Sequence, residues 1–335
     1  MEKLLMSQEK FDHMLRLSDD QQVIAALAID QRGALKRLLT AAAGGGDFGD
    51  DILVDFKKVI SSDLTPYASS ILLDAEYGVP ASKLRAPSCG LIAGYEKTGY
   101  DASTPGRLPD LLDNWSVKRL KDLGADAVKI LLYYDVDDKA EINDIKHAWI
   151  ERIGSECQAE NIPYFVEILT YDASDMDVTS REYAALKPHK VNGAMREFSK
   201  PCYKADVLKV EVPVNMNFVA GYTDEDPVYS LEEAKAYFKE QSDATNLPFI
   251  FLSAGVSASL FQETLVVAKE AGSTFNGVLC GRATWKDAVA IFAAQGEDAA
   301  KAWLADQGRK NMEDLNTVLS TTASPWTEKV QVILS

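Results

Sequence analysis

Histidine and cysteine are scarce in this chain, three and four in 335 residues, and neither set is arranged to hold a metal. Cys89, Cys157, Cys202 and Cys280 lie far apart with no CxxC spacing, which excludes a zinc ribbon or redox pair and reads as four free, buried thiols. His13 falls in a leading helical stretch, His147 in a helix after the fourth strand-like run, and His189 beside Pro188 in a loop. None stands at a strand end, so a histidine-bound zinc site lacks its ligands. Oxygen ligands for magnesium remain open through Asp30, Asp74 and Glu76.

Long apolar runs are also missing, which excludes a signal peptide or a membrane span and gives a cytoplasmic location as the expectation. Positive charge is in deficit: 35 Lys and Arg against 51 Asp and Glu leave a net charge of -16. Such a field repels nucleic acid and anionic membranes, so neither is expected as a partner. A small anionic substrate fits only if cations are gathered in one pocket. There is no GxGxxG after the first strand, no Gly-Lys-Ser/Thr after Gly44-Gly45-Gly46, and no GxSxG. The glycine run therefore reads as a loop, with lid duty a minor alternative.

What is present is alternation. Strand-like runs occur at 23–30, 70–74, 90–96, 127–134, 163–169, 207–213, 248–253 and 277–280, with segments of helical period between most of them. The segments 111–123 and 259–271 end on Gly124 and Gly272, where a helix C-cap takes a left-handed residue. Eight βα units with short joints predict parallel strands, right-handed crossovers and a closed (β/α)8 TIM barrel. The stretches rich in Gly, Pro and Ser (44–49, 80–90 and 103–109) are short and fall between strands, so residues 1–335 read as a single domain. Extra helices are expected at both ends, the last over about 298–319.

The chain is organised around Val207–Pro213, where Lys209 and Glu211, two apart, are expected on one face of a strand. In a parallel sheet both faces are covered, so a lysine there must be paired, neutralised or used. Catalytic groups of a barrel lie at the C-terminal ends of strands, and the ionisable residues there are Asp30, Asp74, Glu76, Lys129, Glu167, Lys209, Glu211 and Arg282. Any one could be a structural charge. Lys129, Glu167 and Lys209 on three consecutive strands point to chemistry instead. A neutral lysine, a second cation that lowers its proton affinity and a carboxyl that shuttles protons are what a Schiff base on a ketone needs. The glycine-bearing turns Ser253-Ala254-Gly255-Val256-Ser257 and Cys280-Gly281-Arg282-Ala283 follow the last two strands, where barrels hold phosphate with backbone N–H groups and a counter-charge.

Taken together, the segments 28–33, 127–134, 165–169, 207–213 and 252–256 resemble the tagatose-1,6-bisphosphate aldolases of the lactose and galactose route in Gram-positive bacteria. The resemblance runs from about Val23 to Ala293. It implies a metal-independent class I aldolase with no cofactor, acting on a sugar phosphate. On that pattern Lys209 matches the Schiff-base lysine, Glu167 the acid/base and Lys129 the neighbouring cation. Asp30 and Gln31 match the pair that contacts the reacting hydroxyls, and Ser253, Gly255, Gly281 and Arg282 fall in the phosphate-binding turns. Three alternatives stay open: fructose 1,6-bisphosphate, sulfofructose 1-phosphate, or a regulatory barrel that senses a sugar phosphate. A homo-oligomer is compatible with the sequence, which does not read out its size.

Overall fold

The computed structural model describes residues 3–45, 49–97, 105–224 and 226–333. Gly46 of the glycine run and the start of the 103–109 stretch lie outside the described residues. Among the described residues ten strands run β1 Leu4–Ser7, β2 Ile24–Ala28, β3 Ser70–Asp74, β4 Gly90–Gly94, β5 Ala127–Tyr134, β6 Tyr164–Thr170, β7 Val207–Val210, β8 Phe249–Leu252, β9 Gly277–Cys280 and β10 Val330–Ile333. Strands β2 to β9 pair in order, all parallel, and close into a barrel through β2 and β9. All eight expected strands are present, and the (β/α)8 architecture stands.

The barrel sorts its strand residues by alternation. Outward side chains such as Val128, Ile130, Val166, Ile168, Leu208 and Val210 join the larger core beneath the surrounding helices. Inward ones form a dry layer of Ala28, Leu72, Ile92, Ala127, Phe165, Val207, Ile250 and Leu279. Each large side chain removed from water there contributes roughly 1.5–3 kcal/mol, so the interior is a packed plug and not a pore. Two residues further along five of the strands the same face turns charged: Asp30, Asp74, Lys129, Glu167 and Lys209. The site is thus the next storey above an apolar floor.

Below the floor, Met6, Met14, Leu17, Trp326 and Val330 close the other end. Strand β1 pairs in parallel with β10, tying the two ends of the described chain together there. This small sheet was not expected, because four-residue strands carry too little alternation to be seen.

The helices differ from expectation in two places, and the outer helix expected over about 298–319 is present. Helix Val117–Asp122 begins later than 111, since the Ser116 hydroxyl caps it by accepting from the Arg119 N–H, while Leu111 makes an antiparallel bridge with Glu96. His189 lies inside helix Arg181–Phe198 and not in a loop. Pro188 interrupts the hydrogen-bond ladder there, but burial of Tyr183, Val191, Met195 and Phe198 outweighs the local break. Near the end, Glu297–Trp303, a π turn Leu304–Gly308 and Arg309–Thr322 run on as an outer helix. Of the thiols, Cys89, Cys157 and Cys280 are buried, and Cys202 is exposed. No described helix is long and apolar enough to cross a membrane.

Candidate active site

Strands β5, β6 and β7 bring their charged residues together because they are neighbours in register. Glu167 pairs directly with Lys209 across the β6–β7 ladder, and Leu131 with Glu167 across β5–β6, which sets Lys129 one step lower. Glu167 bridges the two lysines, with Oε1 2.5 Å from Lys209 Nζ and Oε2 2.6 Å from Lys129 Nζ. Asp30, just past β2, puts Oδ2 2.9 Å from Lys129 Nζ.

The two lysines have different surroundings, and this separates their capabilities. Lys129 is fully buried and its three N–H donors meet three carboxyls: Asp30, Glu167 and Glu96, the last at 3.0 Å. Burial works against that charge, but the carboxyls outweigh it and hold the ammonium well above the usual lysine range. Lys129 is a fixed cation. Lys209 has one carboxylate partner among the described residues, Glu167, against the three that hold the Lys129 proton, and is the lysine placed to give its proton up. Burial likewise opposes the Asp30 charge, and Lys129 followed by Lys209 outweighs it, so Asp30 stays ionised well below the usual carboxylate range.

Glu96 was absent from the sequence-derived set. It closes the strand-like run 90–96 on the same alternation as Ile92 and Gly94, yet the set of strand-end residues omits it; in the structure it lies two residues beyond the end of β4. Asp30, Asp74 and Glu76 were magnesium candidates, but one oxygen of each is already matched by a cation: Asp30 by Lys129, Asp74 by the buried Lys57 and Glu76 by Arg32. No group of three or more His, Cys, Asp or Glu among the described residues is placed to hold a metal ion. Glu211 also departs from expectation. Strand β7 stops at Val210, and the Glu211 carboxylate turns to the N–H and hydroxyl of Thr170 and to Lys187 at 3.3 Å, away from Lys209.

Across the barrel from β4 and β5, the turns after β8 and β9 form one surface. Gly255 has a φ of +81°, and a Cβ there would lie 2.8 Å from an Arg282 guanidinium nitrogen, so glycine lets the cation settle on the turn. Gly281 caps helix Arg282–Gln295 and approaches β2 closely enough that a Cβ would lie 2.8 Å from the Ala28 carbonyl oxygen. The Gln31 amide stands beside it, its Oε1 buried without a hydrogen-bond partner among the described residues. Ser253 is buried at the end of β8, and Arg282 is exposed and forms no ion pair among the described residues. The structure thus brings Lys209, Glu167, Lys129 and Asp30 into contact and places Gln31, Ser253, Gly255, Gly281 and Arg282 along one arc of the same rim. On the opposite arc the Arg107 guanidinium lies 5.1 Å from the ring centre of Tyr133 and 4.8 Å from that of Tyr171.

Residues 24–287 match the family model described as DeoC/LacD family aldolase. Tagatose 1,6-diphosphate aldolase 2 of Enterococcus faecalis is 62% identical over 319 residues, 95% of this chain and 96% of that protein. Its namesake in Streptococcus mutans is 56% identical over 329 residues, 98% of this chain and 100% of the other. Among solved structures, the fructose-bisphosphate aldolase of Plasmodium falciparum superposes with a TM-score of 0.67 at 14% identity, covering 97% of this chain and 99% of that one. An archaeal fructose 1,6-bisphosphate aldolase gives 0.56 at 16%, covering 89% and 99%. At such low identity these two likenesses speak for the fold alone.

Proposed function

Because this chain belongs to the DeoC/LacD family of aldolases, we propose that it is a class I aldolase that reversibly cleaves D-tagatose 1,6-bisphosphate to dihydroxyacetone phosphate and D-glyceraldehyde 3-phosphate. The substrate is the one its relatives are named for. The observation that carries the chemistry is the Lys209–Glu167–Lys129 chain, one nucleophile candidate and one fixed cation joined by a single carboxylate.

Attack on a ketone requires lysine as the neutral amine. Glu167 Oε1, 2.5 Å from Lys209 Nζ, is the group in reach to take the proton. The amine then adds to the C2 carbonyl, and Glu167 returns a proton to the carbinolamine oxygen, which leaves as water. The resulting iminium draws the electrons of the C3–C4 bond as the C4 hydroxyl gives up its proton and departs as the aldehyde. Asp30, kept ionised by Lys129, is the base assigned to the reacting hydroxyls, with Gln31 beside it. Protonation of the enamine at C3 and addition of water release dihydroxyacetone phosphate and restore Lys209. Lys129 holds Glu167 and Asp30 in place and offsets their charge.

The turn surface of Ser253, Gly255, Gly281 and Arg282 is assigned to the phosphate nearer the carbonyl. Arg107, on the opposite arc, is assigned to the far phosphate. The deciding experiment is borohydride trapping with dihydroxyacetone phosphate in EDTA, followed by mass spectrometry and peptide mapping. A stable adduct on the peptide that carries Lys209 supports the reading. Absence of an adduct, with cleavage restored by a divalent metal, would replace it with metal-assisted chemistry.

A further inference from the structure

Strand β4 is the gap in the charged storey. Its inward position above Ile92 is Gly94, which offers no side chain. Glu96, two residues later, fills the space from above, and a Cβ at Gly94 would lie 3.9 Å from its Oε1. That oxygen accepts from Lys129 at 3.0 Å, while Oε2 is buried with no hydrogen-bond partner among the described residues. The backbone carbonyl of Glu96 is fixed separately by Arg32, which donates to it at 2.5 Å and pairs with Glu76.

We propose that Glu96 works as a neutral carboxylic acid, the third anchor of the Lys129 ammonium and a positioning residue for the Schiff-base step. The geometry favours the neutral form in two ways. An ionised carboxylate, 2% exposed, that leaves one oxygen without a donor carries a desolvation penalty larger than that of a neutral carboxyl in the same place. Apart from Asp74, which is paired with Lys57, the storey holds three carboxyls, Asp30, Glu96 and Glu167, against two ammonium groups, Lys129 and Lys209. With Glu96 neutral, the remaining charges balance. An additional negative charge beside them would favour ammonium over amine, the wrong state for a nucleophile.

The charged groups facing Glu96 are Lys129 from β5, Asp30 after β2 and Arg32 from the same turn; Glu167 shares the Lys129 ammonium with it. Burial pushes the Glu96 carboxyl above the usual carboxylate range and Asp30 adds to it, while Lys129, the residue's own backbone N–H and Arg32 oppose it. Lys57 and Asp74 are paired with each other. The inference rests on the Schiff-base reading above, so its test has one part that needs no substrate.

The infrared difference spectrum of wild type minus Glu96→Gln near neutral pH should contain the carbonyl stretch of a neutral carboxyl; a carboxylate signature in its place would overturn the proposal. In kinetics, Glu96→Gln, a permanent neutral acceptor, should keep kcat close to wild type and should not show the loss at high pH that ionisation of Glu96 causes. Glu96→Ala should lose on the order of tenfold to a hundredfold in kcat, with KM little changed and melting followed as a control. A Gln variant as impaired as the Ala variant, or an Ala variant as active as wild type, would also overturn it. Wild-type protein that neither cleaves the bisphosphate nor forms a Lys209 adduct would remove the substrate assignment, while the infrared band still reports on Glu96.

Discussion

Glu167 and Lys209 are direct partners across the β6–β7 ladder, and the carboxylate touches the ammonium at 2.5 Å without any loop intervening. Their placement is a property of the strands, the most rigid part of the fold. Replacement of Lys209 by Ala should therefore leave the barrel intact, since Glu167 keeps Lys129 as a partner. Turnover should fall by roughly a thousandfold or more, as when a nucleophile is removed elsewhere. Loss of the borohydride adduct together with an unchanged circular dichroism spectrum would be the expected pair of results; retained cleavage would reject the assignment.

Glu167→Gln separates proton transfer from nucleophilic attack. The amide preserves volume and can still accept from Lys129, but it cannot take the Lys209 proton. The expected loss in kcat is on the order of a hundredfold to ten-thousandfold. Adduct formation should become slow but still occur on Lys209. A rapid-quench measurement of adduct growth checks this, and an adduct formed at the wild-type rate would remove Glu167 from the proton-transfer role.

How much of this was legible in the sequence follows from where each residue stands. Lys129, Glu167 and Lys209 were visible because charge inside a β-branched, apolar run has no cheap structural explanation. Glu96 closes the run 90–96 on the alternation of Ile92 and Gly94, so its direction was legible; its contact with Lys129 was not, because it depends on the space that Gly94 leaves open in three dimensions. Lys57 sits on helix Asp51–Leu64, and only its partner Asp74, on β3, reveals that it is buried. Glu211 was misread because period-two alternation was carried one residue beyond the strand. The pairing of β1 with β10 joins opposite ends of the described chain and leaves no local signal.

The arginines on the two arcs should fail differently. Arg282→Met should raise KM roughly tenfold to a hundredfold, the cost of one charge-assisted contact to phosphate, with a smaller effect on kcat. Gly255→Ala should move KM in the same direction, because the added methyl would collide with the Arg282 guanidinium. Arg107→Met should raise KM for the bisphosphate but not for a ketose 1-phosphate that lacks the far group. Equal effects of Arg107→Met on both substrates would place its role elsewhere.

At the closed end of the barrel, far from the chemistry, Lys329 offers a test of stability. This half-buried side chain puts its ammonium 4.2 Å from the ring centre of Phe249 and donates to the Leu247 carbonyl oxygen at 3.3 Å; burial pushes its pKa down to about 7, with Glu328 opposing. An unfolded lysine titrates near about 10.4. Below about pH 7 both states are protonated, and the folded protein bears the cost of the partly desolvated charge. Between that point and about 10.4 the unfolded chain holds the proton that the folded one has released, so stability from this group rises with pH. Lys329→Met removes the charge and leaves a thioether against the ring. It should raise Tm by roughly 2–4 °C at pH values below the folded pKa, and the gain should shrink toward zero as the buffer approaches the lysine range. Calorimetry across that range checks it: a gain that does not change with pH would mean that packing, and not the buried ammonium, sets the difference.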